Sequence, residues 1–198
     1  MADNTIAVLN LGSQSISLGV FDASKSGLSL KKYATESILA DPANEAIRLA
    51  QVQGAIQSLA DQLGVSSSKV VFSVSGQSVF TRFVKLPSLG DDNIEQLVSF
   101  EAQQHIPFPI NDVAWDWEMI DSSGMEKEVA IVAIKKDLLN EVDKSVSETG
   151  MTTVNVESSP IALTNAFYHS YPGVNETCLL YTSPSPRDGA TSRMPSSA

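Results

Sequence analysis

The sequence predicts an α/β fold in which a host domain of mixed sheet and helices carries an inserted subdomain. Three observations carry that prediction: short alternating strands open the chain, amphipathic helices follow them, and a strand-helix-strand-strand unit sits mid-chain. No stretch between these parts has the composition of a linker, which favours insertion into a host over separate domains in series.

Residues 5–11, 15–22 and 28–34 read as an antiparallel meander, joined by Gly12-Ser13-Gln14 and by a turn at 23–27. The second strand alternates Ile16, Leu18 and Val20 with Ser15, Ser17 and Gly19, as a sheet with one core face requires. A helix is expected over 42–63. Asp41 can cap it, Pro42 suits the first turn, Leu49, Val52, Ile56, Leu59 and Leu63 recur at spacings of three and four, and Gly64 can end it. Residues 69–75 follow as an apolar strand of the kind buried on both faces.

The middle of the chain reads as a strand over 78–86, a helix over 91–105 with Ile94, Leu97 and Val98 inward, and strands over 113–120 and 127–134. After it come a helix over 136–149, a strand over 151–157, a helix from Ser159 through Phe167, and the opening of a strand at 176–180. Residues 181–198 change abruptly to Ser, Pro, Gly and Arg, which bury little apolar area, and are read as an unstructured, artefactual tail.

Composition narrows the function classes. With 13 Lys and Arg against 23 Asp and Glu, the net charge is -10 and no basic stripe is visible, which argues against nucleic-acid binding. A single cysteine, Cys178, allows no internal disulfide. The amino terminus lacks a basic, apolar leader, and no run of about 20 apolar residues could span a membrane. A cytoplasmic protein is expected.

Few residues offer chemistry. His105 and His169 have no acidic or Cys partner at metal spacing, so capping or surface roles are expected of them. Ser75 and Ser78 flank Gly76 without a nucleophile elbow or His and Asp companions. Trp115 and Trp117 share a strand face with Val113 and Met119, and core packing is the expectation. The sequon at Asn175 would need a secretory route, and no catalytic or metal residues are assigned. The first hairpin is more suggestive. Asn10, Gly12, Ser13, Gln14 and Ser15 bring backbone N–H groups and hydroxyls together where an anion could sit, although any tight hairpin uses the same residue types.

Three strings carry a family resemblance: residues 7–15; Val74-Ser75-Gly76 with 82–87; and Glu101 through Pro109, where a helix ends in Ile106-Pro107-Phe108-Pro109. In the last, Pro107 and Pro109 forbid helical continuation and hold the chain extended. The sequence resembles the PilM family of type IV pilus assembly proteins, within the actin-like ATPase superfamily and related to FtsA. The resemblance implies an actin-like, ribonuclease H-like subdomain 1A over 1–80 and again over 151–180, a 1C subdomain inserted over 81–150, and a second lobe missing here.

It further implies ATP and Mg in the intact parent, with Asn10 and residues 12–15 as the first phosphate loop. No cofactor is expected for this truncated chain, and at most a weak ATPase for the parent. Asn10 stands where the family usually carries Asp, which weakens the case for metal-assisted hydrolysis. The implied partners are the amino-terminal peptide of a PilN-like inner-membrane protein and other pilus assembly proteins, with the protein peripheral to the inner membrane through them. Ile106, Phe108 and the strand at 78–86 are candidates to line the peptide groove; the alternative is that Ile106 and Phe108 only close the 1C core. An FtsA-like division protein and a sugar kinase of the same fold are the other readings.

Overall fold

The computed structural model describes residues 5–24, 27–41, 44–87, 94–122 and 126–171. Pro42, Asn175, Cys178, the expected strand at 176–180 and the tail at 181–198 lie outside the described residues.

The chain forms strands β1 (Thr5–Leu11), β2 (Ser15–Ser24) and β3 (Gly27–Ser37), helix α1 (Glu45–Leu63), and strands β4 (Lys69–Val74) and β5 (Val79–Pro87). Helix α2 (Ile94–His105), strands β6 (Val113–Asp121) and β7 (Glu126–Lys135), helix α3 (Lys136–Glu148), strand β8 (Thr152–Ser158) and helix α4 (Ser159–Ser170) follow. A five-stranded sheet has the order β3-β2-β1-β4-β8, and a three-stranded sheet the order β5-β7-β6. The meander of β1 to β3 is antiparallel, whereas β4 and β8 run parallel to β1.

Alternation decides which face of the large sheet is buried. Leu9, Ile16, Leu18, Val70 and Phe72 are fully buried, with Ile56 and Leu59 of α1 packed in the same cluster. Each such side chain contributes about 1.5–3 kcal/mol relative to exposure. Helix α1 starts later than the sequence suggests, because Asn44 rather than Asp41 caps it: Asn44 Oδ1 accepts from Ile47 N–H at 3.2 Å. Its end is as expected, with Gly64 in the left-handed region at φ 63°. Strand β4 departs from the expectation of burial on both faces. Val70, Phe72 and Val74 are buried, but Val71 and Ser73 only half so, since α1 and α3 contribute to one core face.

The small sheet packs Val84, Leu86, Val129 and Ile131 against Val98 and Ala102 of α2, and Trp115, Trp117 and Met119 rest partly buried on that cluster, so the paired tryptophans do pack as core. Strand β5, which ends in Pro87, is an edge strand, the kind of position where sheets tolerate proline. Helix α3 falls within the 81–150 stretch read as the insert, yet its Val142 and Val146 pack in the first cluster with the large sheet. Residues to Thr164 form one compact unit and those from Asn165 a second; within the latter, the Phe167 ring lies 5.2 Å from Tyr171 and 5.9 Å from Tyr168.

Candidate functional site

Parallel strands β1, β4 and β8 end side by side, and ligands in open α/β sheets bind beyond such carboxyl ends. In register across them stand Asn10, Ser73 and Glu157, which therefore share a face of the sheet. The Ser73 hydroxyl donates to Asn10 Oδ1 at 2.8 Å. Ser159, at the start of α4, donates to the Val74 carbonyl at 2.9 Å, with its Oγ 3.4 Å from Asn10 Oδ1. Asn10, Gly12, Ser75, Gly76, Ser159, Pro160 and Leu163 line an open cleft of about 390 Å³.

The loop after β1 is tight. A Cβ on Gly12 would stand 2.6 Å from the Ser15 carbonyl oxygen, so only glycine fits there. Ser13, Gln14 and Ser15 are exposed. Gly76 meets a similar limit, since a Cβ there would lie 2.8 Å from Pro160 Cγ. From the other side, Arg48 of α1 donates through Nη2 to the Gly12 carbonyl at 3.3 Å, and Ile38 N–H donates to the Gln14 carbonyl at 2.8 Å.

All five hairpin residues singled out in the sequence therefore lie at one strand end, and Ser73, Ser159 and Arg48 join them unforeseen. At the β1–β2 loop the groups suit an anion, with exposed serine hydroxyls, a glycine allowing close approach and an open cleft, while Glu157 in register with Ser73 brings a carboxylate to the same strand ends. The loop fits the phosphate part of a nucleotide better than a bare metal, because Asn10 carries no charge and its oxygen already accepts from Ser73. Among the described residues no group of three or more His, Cys, Asp and Glu could hold a metal ion. His105 lies 3.1 Å from Glu101, one turn back along α2.

The Ile106-Pro107-Phe108-Pro109 corner divides its two candidates. Ile106 is 5% exposed in the second core cluster, whereas Phe108 is 38% exposed. Lys135 Nζ sits 4.8 Å from the Phe108 ring centroid, a cation–π arrangement. Lys136 Nζ donates to the Asn111 carbonyl at 2.8 Å and ties the corner to α3. Phe108, Pro109, Asp112, Lys135, Asp137 and Asn140 are among the residues lining a second cleft, of about 560 Å³. Exposed Phe83 of β5 stands across β7 from this corner, at the opposite edge of the small sheet.

The sequence matches the family of the type IV pilus assembly protein PilM over residues 8–177. The chain belongs to that family. A solved structure, the PilM-PilN type IV pilus biogenesis complex, matches with a TM-score of 0.68 at 21% identity, covering 83% of this chain and 50% of that one. The cytoplasmic domain of EpsL, an inner-membrane component of the type II secretion system of Vibrio cholerae, matches at 15% identity and a TM-score of 0.49, covering 77% of this chain and 57% of that one. A Bacteroides thetaiotaomicron protein with an actin-like ATPase fold and unknown function matches at 12% identity and 0.48, covering 85% and 57%. The described residues of this PilM family member form a lobe of the actin-like fold, and the chain spans about half the length of the PilM-PilN chain it matches. No helix among its described residues is long and apolar enough to cross a membrane.

Proposed function

We propose that this protein is a scaffold of type IV pilus assembly, or of a related secretion machinery, working at the cytoplasmic side of the inner membrane. In this reading it docks the amino-terminal peptide of a PilN-like partner, and the complete protein holds ATP at the β1–β2 loop. The observation that carries it is family membership over 8–177 together with the fold of the PilM-PilN structure.

The corner beside Phe108 suits the peptide. It offers an exposed aromatic ring, a cleft of about 560 Å³ and the neighbouring edge strand β6, along which an extended segment gains main-chain hydrogen bonds while pockets select its side chains. Buried Ile106 shapes the corner from beneath. This lobe supplies contacts to the phosphates and is not expected to bind ATP alone, because one loop cannot by itself outweigh the hydration of a triphosphate.

Fluorescence titration of a PilN-type amino-terminal peptide against a complete PilM-family protein with this corner, and against its Phe108→Ala variant, tests the reading. Saturable binding, weakened about tenfold by the loss of the ring, is expected. Absence of binding by the unmutated protein contradicts the scaffold role, and equal binding by both removes Phe108 from the contact.

A further inference from the structure

We propose that Arg48 is a positioning residue of the phosphate-binding loop, holding the Gly12 carbonyl from the α1 side so that the Ser13 amide faces an anion on the other. This rests on the nucleotide reading above and adds to it a residue outside the hairpin.

The argument is geometric. A peptide unit is planar and trans, so its C=O and the following N–H point in opposite directions. Arg48 Nη2 holds the Gly12 carbonyl, which turns the Ser13 N–H away from α1. Ile38 N–H holds the Gln14 carbonyl from the β3 side, which turns the Ser15 N–H toward β1 on the other side of β2 and fixes the far end of the loop. Both donors come from the segment running from β3 into α1. That segment is itself fastened: Gln51 Oε1 accepts from Leu39 N–H at 3.0 Å and Ala40 N–H at 2.9 Å, and Asn44 caps the helix one turn before Arg48.

Gly12 makes such a hold necessary. Glycine is required there by the 2.6 Å approach to Ser15, and it is also the residue least able to fix its own peptide orientation. Arg48 is half-buried, so its charge is less screened than that of a surface side chain and favours an anion on the loop.

Backbone amide chemical shifts and heteronuclear NOE values, read by NMR on the full 198-residue chain, separate this role from a general stabilising one. Arg48→Met keeps the stem and the helix propensity but removes donor and charge, whereas Arg48→Lys keeps both. The expected result is displaced amide shifts and lowered NOE values at Ser13 and Gln14 in the Met variant, unchanged values at Leu9 and Phe72, and recovery toward wild type in the Lys variant. A separate titration of a complete family member with ATP tests the nucleotide reading; its failure would withdraw that ligand, while the NMR comparison, which contains no nucleotide, still decides Arg48. Loop shifts and NOE values equal to wild type in the Met variant, equal changes at Leu9 and Phe72, or a Lys variant no better than Met would overturn the proposal.

Discussion

The two candidate regions are built from different material. At the strand ends, Gly12, Gly76 and the held carbonyls of Gly12 and Gln14 make a surface of backbone, with Asn10, Ser73 and Ser159 as small polar fittings. At the corner, a single ring, Phe108, stands out under the Lys135 ammonium, on a base closed by Ile106. Backbone donors recognise what all phosphates share, whereas a side-chain anchor beside a strand edge recognises a particular segment. The difference teaches that mutation should act on shape in the first region and on contact in the second.

The largest expected effect sits under the corner. Ile106→Ala empties a packed position and should lower unfolding free energy by about 2–5 kcal/mol in urea denaturation, whereas Phe108→Ala, two residues on, should lower it by only about 1 kcal/mol, from the lost Lys135 contact and the covered part of a half-exposed ring. Similar losses at both would erase the distinction between base and anchor. Next comes Gly12→Ala, whose Cβ collides with backbone: a loss of about 1–3 kcal/mol is expected, together with displaced amide shifts across residues 12–15. Unchanged stability and shifts would mean that the loop is looser than described.

Smaller effects sharpen the contrast. Ser159→Ala removes the donor to the Val74 carbonyl and should cost about 1 kcal/mol, with nearby changes confined to the ends of β1 and β4. Lys135→Met removes the cation over Phe108 and should change stability by no more than about 0.5–1 kcal/mol. An effect on the loop amides from Lys135→Met would show the two regions to be coupled.

Much of this was legible in the sequence where local periodicity speaks. Ile16, Leu18 and Val20 alternate, Ile56, Leu59 and Leu63 recur at helical spacing, and all of them are buried. The hairpin residues were legible too, since Gly12 and its polar neighbours are contiguous. What they meet was not: Ser73 and Ser159 reach Asn10 across 63 and 149 positions, and no local pattern marks a serine for that role. Arg48 reads as an ordinary polar residue in the first turns of an amphipathic helix, and only the tertiary placement of α1 beside the loop gives it a carbonyl to hold. The capping of α1 was misread for a nearer reason, as Asp41 and Asn44 are both good caps and only the chain path chooses between them. Ile106 and Phe108 looked alike in an apolar corner, and the proline-fixed turn sends one inward and leaves the other out.

The central claim is that partner peptide and phosphate belong to separate regions of this lobe. Backbone amide shifts of the isotope-labelled chain, followed during titration with a PilN-type amino-terminal peptide, test it most directly. The account predicts shifts at Phe108, Asn111, Lys135 and Lys136 that saturate together, with Gly12 through Ser15 unmoved. Saturating shifts at the loop, or none at the corner at millimolar peptide, where even weak binding of about 4 kcal/mol would register, would contradict it.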